Sequence, residues 1–148
     1  MDEAITNLSD RFARFVFLDA RAMEFYGDWE NAANDAVALL RAEAGRDPHD
    51  RALADLVGEL STRSEEFRVR WAAHNVRFHR TGDKTFHHPL VGDITMTYEV
   101  IELPADPGQV LIALSAEPNS SSQDALNLLA SWAATPEEVS TVPVEEDA

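Results

Sequence analysis

The sequence predicts an α+β domain, with helices first, an antiparallel sheet second and a last helix at the C-terminal end. Three observations predict it. The apolar period is helical up to about residue 74, it falls to roughly two between about 76 and 116, and helical spacing returns after a Ser-rich stretch at 119–122. At 148 residues the chain fits one domain, and a fold of that size buries roughly 68–70% of the surface its unfolded form exposes.

Taken in order, Leu8, Phe12, Phe15 and Val16 recur at i, i+4, i+7 and i+8, so the opening segment is an amphipathic helix reaching about Leu18. Asp28 is an N-cap for a helix whose Trp29, Ala32, Ala33, Ala36, Val37 and Leu40 share one stripe, with Gly45 as its stop. Asp47-Pro48 opens a third helix over about 49–61, with Leu53, Leu56, Val57 and Leu60 on one face. Ser61 or Ser64 restarts the count. Phe67, Trp71 and His74 then share the face of a fourth, short helix, which aims His74 inward or along a rim.

Past Asn75 the pattern is that of strands. Val76, Phe78 and His79 lead to the turn signal Thr81-Gly82-Asp83, and 85–91 continues on the far side as the second arm of a hairpin. Gly92-Asp93 makes the next turn. Ile94, Met96, Tyr98 and Val100 alternate with Thr95, Thr97 and Glu99, the pattern of a strand with one buried and one wet face. Pro104-Ala105-Asp106-Pro107-Gly108 is a second turn. The segment 109–116 is apolar on both faces and reads as an interior strand covered on both sides. Ala125, Leu128, Leu129 and Trp132 give the last helix. Residues 1–134 thus form the domain, and 135–148, acidic with two prolines and no period, is expected to be a disordered tail.

Composition narrows the function. With 27 Asp and Glu against 12 Lys and Arg the net charge is −15, a field that repels a phosphate backbone, so no direct nucleic-acid binding is expected. Half of the basic residues lie at Arg63, Arg68, Arg70, Arg77, Arg80 and Lys84, a strip interleaved with Glu65, Glu66 and Asp83 that reads as a solvated, ion-paired face. Cysteine is absent, which removes disulfides, thiolate metal sites and a cysteine nucleophile and suits a reducing cytoplasm. No apolar run approaches the roughly 20 residues of a membrane span.

Catalytic patterns are missing too. Ser115-Ala116-Glu117 is no nucleophile elbow and the six glycines make no phosphate loop, so no catalytic residue is assigned and the chain is read as not an enzyme. His74, His79, His87 and His88 fall within 15 positions, but their spacing makes no helical ligand pair and neighbours on a strand point to opposite faces. They are taken as structural or surface histidines, with no metal and no cofactor.

The runs LSTRSEEFRVRWAAHNVR at 60–77, FHHPLVGDITMTYEVIELPADPGQ at 86–109 and AEPNSSSQDALNLLASWA at 116–133, with NLSDRFARFVFLDARAMEFYGDWENAANDAVALLRAEAGRDPHD before them, are similar to the MmyB-like ligand-binding domain of bacterial XRE-type helix-turn-helix regulators. The resemblance covers nearly everything from Asn7 to Ala133. It implies a PAS-like sensory module, with a sheet packed on helices around an apolar pocket and fatty-acid-like molecules as the ligand class. In such regulators the DNA-binding helices and a first strand pair precede the point where this sequence starts, so the expected role is sensing without a DNA-binding segment of its own. Asn75 departs from the family pattern, which has Asp after the histidine.

By default the aromatic residues Phe15, Phe17, Phe25, Tyr26, Phe67, Trp71, Phe86 and Tyr98 are core. Trp71, His74, Arg77, Phe86, Met96 and Tyr98, which straddle the junction of the fourth helix and the sheet, are the candidate ligand-binding set. A ligand carboxylate needs a charge-assisted partner, for which Arg77 and His74 are the candidates. An ion pair with a surface carboxylate is the equal alternative for Arg77. The expected partner is therefore an apolar or fatty-acid-like small molecule. The other reading is an interaction module that uses an unpaired sheet edge to form a homodimer or join a full-length regulator.

Overall fold

Four of the helices begin where a short polar side chain accepts a free amide of the first turn. Asp28 accepts from the Asn31 N–H at 3.0 Å, Asp50 from Leu53 at 3.1 Å, Ser64 from Phe67 at 3.1 Å and Ser120 from Gln123 at 3.2 Å. The structure, a computed structural model, describes residues 8–73 and 79–134. The elements in chain order are α1 (Leu8–Leu18), α2 (Ala22–Phe25), α3 (Trp29–Arg46), α4 (Arg51–Arg63), α5 (Glu65–Ala72), β1 (Thr81–His88), β2 (Gly92–Glu102), β3 (Val110–Ser115) and α6 (Ser121–Ala133). This is the α+β order that the change of period predicts.

Boundaries differ from the sequence expectation for local reasons. Asp47 caps no helix; it ends α3, its carboxylate accepts from the His49 N–H, and the true N-cap of α4 is Asp50. Gly45 lies inside α3, which runs one residue further. The four-residue α2 is too short to show a period. Of the Ser-rich stretch, Ser120 is the cap of α6, and Ser121 and Ser122 already form its first turn. The proposed tail at 135–148 lies outside the described residues.

Helices α1, α3, α4 and α5 bury one another. Ala13, Ala36, Val37, Leu40, Leu53, Leu56, Leu60 and Phe67 form a single buried cluster, against which Phe12, Phe17, Leu18, Val57 and Trp71 pack. Each fully buried aliphatic or Phe side chain contributes roughly 1.5–3 kcal/mol. Val16, Ala32 and Ala33 make a second cluster beside Trp29, whose indole N–H donates to the Val16 carbonyl at 3.0 Å.

The sheet has the order β1-β2-β3, antiparallel throughout. Thr81-Gly82-Asp83 is not a turn, contrary to the sequence reading: it is the first part of β1 and pairs with Glu99, Tyr98 and Thr97. Glycine is needed at 82 because a Cβ there would come within 3.1 Å of the Tyr98 ring, and Asp83 accepts a cross-strand bond from the Thr97 hydroxyl at 2.8 Å. The hairpin turn is at residues 89–91, followed by Gly92 at φ +79°, a conformation glycine adopts without steric cost. Val76 and Phe78, expected in the first hairpin arm, lie outside the described residues; His79 precedes the strand.

Strand β2 alternates as expected, with Ile94 and Tyr98 buried and Thr95, Thr97 and Glu99 exposed. Strand β3 does not. It is an edge strand, and all six of its residues are exposed, which overturns the reading of 109–116 as an interior strand. An apolar pattern on both faces is compatible with burial but does not by itself supply the layers that bury it. Beyond the end of β3, Ser122 of α6 takes up the next free amide of β2, accepting from Thr95 N–H at 2.9 Å. On the opposite edge, Tyr26 bridges Phe86 and the Gly27 N–H donates to the Thr85 carbonyl at 2.8 Å.

The helical layer and the sheet are tied by charge. Asp35 of α3, only 4% exposed, pairs with Lys84 of β1. Asp35→Leu or Lys84→Met alone is expected to cost about 3–5 kcal/mol, since each strands the other charge in a half-dry site. The double variant Asp35→Leu/Lys84→Met should cost much less than the sum. Urea denaturation of the four proteins measures the coupling; strictly additive losses would show that the pair does not act as a unit.

Candidate ligand-binding site

Helical geometry fixes what α3 shows to the sheet. Asp35, Ala38, Ala42 and Arg46 fall on one stripe at i, i+3, i+7 and i+11. At one end Asp35 pairs with Lys84; at the other, Arg46 donates to the carbonyl of Gly108 in the β2–β3 turn. The helix therefore runs along the sheet, with small alanines between its two tethers.

The facing sheet surface follows from register. Lys84 lies opposite Met96, Phe86 opposite Ile94, Tyr98 opposite Leu114 and Val100 opposite Ile112, so these side chains share the helix-facing side. Tyr98 is buried, and the Lys84 ammonium stands 4.9 Å from its ring centroid. Burial, and then the Asp35 charge, push the Tyr98 phenol above its ordinary pKa. One carboxylate oxygen of Asp35 is buried without a hydrogen-bond partner among the described residues. Further along, Val100 is half-buried, while Ile112 and Leu114 remain 38% and 46% exposed. An apolar surface on this side of the sheet is thus left partly exposed.

Of the residues singled out by sequence, Met96 and Tyr98 come together beside Lys84. Phe86 shares their face but is committed to an aromatic cluster, 5.6 Å from Phe25 and 5.7 Å from Tyr26. Trp71 belongs to the helical layer, stacked at 5.6 Å and 18° on Phe67, with the Arg41 guanidinium 4.6 Å above its ring. His74 and Arg77 lie outside the described residues. Asp35, Lys84 and Arg41 were not singled out for the site. Asp35 did carry a signal, as the one acid in the run Ala32 to Leu40.

A cleft of about 390 Å³ opens at the β1 edge, lined by Tyr26, Gly27, Asp28, Asn31, Ala32, Asp83, Lys84, Thr85 and His87. Its charged lining is Asp28, Asp83 and Lys84. Asp28 is engaged as a helix cap, and His87 Nδ1 lies 2.6 Å from Asp93 Oδ1, so the cleft does not suit an apolar acid. Each described basic residue of the 63–84 strip meets a carboxylate: Arg63 Glu59, Arg68 Glu65, Arg70 Glu30 and Glu66, Arg80 Glu102, and Lys84 Asp35. Among the described residues no group of three His, Cys, Asp or Glu side chains is placed to hold a metal ion, and no helix is long and apolar enough to cross a membrane.

The family model for the MmyB-like transcription regulator ligand binding domain matches residues 2–129. The chain belongs to this family. No curated protein matches it. An MmyB-like domain is the ligand-binding part of a transcription regulator, so a sensory role follows, and the helix-facing side of the sheet is where this chain offers apolar surface beside polar anchors.

The aromatic cluster at the sheet edge gives this MmyB-like domain a pH signature. Burial raises the Tyr26 phenol from 10.0 to about 12. Between those values the unfolded chain loses the proton while the folded chain keeps it, so stability is intact below pH 10 and falls as pH rises through the window. Ultraviolet titration should show both tyrosines ionising above the ordinary value, with the step near pH 12 lost in Tyr26→Phe. Normal ionisation of Tyr26 near 10 would contradict the burial.

Proposed function

We propose that the domain senses a fatty-acid-like amphipathic molecule in the cytoplasm and passes occupancy on through a protein contact, operator DNA being held by a separate segment or partner. No chemical step belongs to this reading. The observation that carries it is the row Met96, Tyr98, Val100, Ile112 and Leu114 on the side of the sheet to which α3 is tethered at Lys84 and Gly108, with its outer members still exposed. An alkyl chain laid there gains roughly 0.8 kcal/mol per buried CH₂. Met96 and Tyr98 would contact the chain, Trp71 and Phe86 would bound it, and His74 and Arg77 are the sequence-derived candidates for its carboxylate. Laurate should raise the melting temperature by several degrees and Met96→Asp should remove the rise. No shift across a panel of fatty acids and fatty alcohols of varied length would end this reading.

A second reading, an interaction module that pairs with a second copy, is supported by a different observation. Ile101, Leu103, Val110, Leu111, Ile112 and Leu114, on both faces around the β3 edge, are between 37 and 54% exposed. Strand β3 carries no charge. Two copies can pair β3 to β3 about a twofold axis into one six-stranded sheet. Sedimentation at high micromolar concentration should then show a dimer that Leu111→Lys converts to monomer. A monomer throughout would dismiss the pairing.

A further inference from the structure

Two arginines of the helical layer stand over tryptophans, and only one of them is neutralised. Arg70 of α5 lies 5.5 Å from the Trp29 ring centroid and meets Glu30, Glu66 and Asn34. Arg41 of α3 lies 4.6 Å from the Trp71 ring centroid, and its hydrogen bond goes to the Trp71 carbonyl. No carboxylate meets Arg41 among the described residues, and its Nε is buried without a partner. The other described half-buried cations, Arg14, Arg70 and Lys84, all have carboxylates. Arg11, Arg46 and Arg51, which lack one, are exposed to water.

This is anomalous in a chain with 27 acids and 12 Lys and Arg. A cation partly removed from water is costly unless an anion compensates it, and acids to supply one are abundant. A glutamate within reach on α5 or α3 would satisfy it as Glu66 and Glu30 satisfy Arg70. Position adds the second half of the argument: Arg41 directly precedes Ala42 and follows Ala38 by three residues, so it rises at the border of the alanine stripe that faces the sheet, on the side of α5.

We propose that Arg41, stacked on Trp71, is the anchor for the carboxylate of the amphipathic ligand. The proposal rests on the sensing function above. The planar guanidinium offers two parallel N–H donors to a carboxylate, and the tryptophan face beneath holds it flat. Lys84 is not available for this role, since Asp35 already occupies it.

The test compares laurate with dodecanol, which share a chain and differ in the head group, by isothermal titration on the intact chain. The wild type should bind laurate at least tenfold more tightly than dodecanol. Arg41→Gln should bring laurate down to the dodecanol level and leave dodecanol unchanged, while Arg51→Gln, at an arginine exposed to water, keeps the preference. Should Arg41→Gln fail to fold, the arginine Nε–H signals of the wild type decide: laurate should shift the Arg41 signal, assigned from Arg41→Lys, and dodecanol should not. Equal binding of the two probes, or an unmoved Arg41 signal, overturns the anchor while leaving a ligand groove in place. Binding of neither overturns the sensing function and the anchor with it.

Discussion

The ion pair between Asp35 and Lys84 is the constraint on which the arrangement of the two layers depends. Asp35 sits within an alanine-rich helix, almost fully buried, where a lone carboxylate would be untenable. Only a cation from the sheet can compensate it, and that requirement sets both the position of α3 along β1 and the face of β1 that looks inward. Lys84 in turn lies over Tyr98, which needs Gly82 across the ladder to make room for its ring. Four residues on three elements are thus fixed together. Arg46 at the far end of α3 adds a second tether at Gly108, after which the helix cannot swing across the sheet.

What lies between those tethers is decided by size. Ala38 and Ala42 on the helix and Val100, Ile112 and Leu114 on the sheet do not fill a common volume as Leu40, Leu60 and Phe67 do in the helical core. A packed interior approaches the density of an organic crystal; here Ile112 and Leu114 keep more than a third of their surface in water. The fold therefore combines a helical half packed for stability with a sheet half whose apolar surface is left partly unused, and apolar surface beside a charged rim is what a binder of amphipathic molecules requires.

The helical half was legible in the sequence because capping and period are local. Asp28 and Ser64 mark helix starts by chemistry that needs no tertiary information, and the stripe from Ala32 to Leu40 needs only a count of residues. The sheet was legible where alternation is strict, as in β2, and misread where a residue has a tertiary reason. Gly82 looks like a turn glycine and is a clearance for Tyr98; β3 looks like an interior strand and is an edge. For the site, alternation located Met96 and Tyr98 on one face, but it could not say that Phe86 would be taken up by Phe25 and Tyr26 or that Trp71 would stack on Phe67. Asp35, Lys84 and Arg41 matter through partners at least 30 positions away, and no periodicity carries that.

The sensing and pairing readings meet at β3. This strand is hydrogen-bonded to β2 on one side, has no described partner on the other, and contributes Ile112 and Leu114 to the helix-facing row and Leu111 to the opposite face. A strand held on one side has fewer interactions opposing its displacement than a central one, and regions of that kind lie at the low end of local stability. A ligand on the helix-facing side would bury Ile112 and Leu114 only in the conformation that holds β3 flat against α3. It would therefore favour that conformation by its differential affinity and no more. Because a flat edge pairs better than a twisted or frayed one, occupancy on one face of β3 and association at its edge would be coupled through the same six residues.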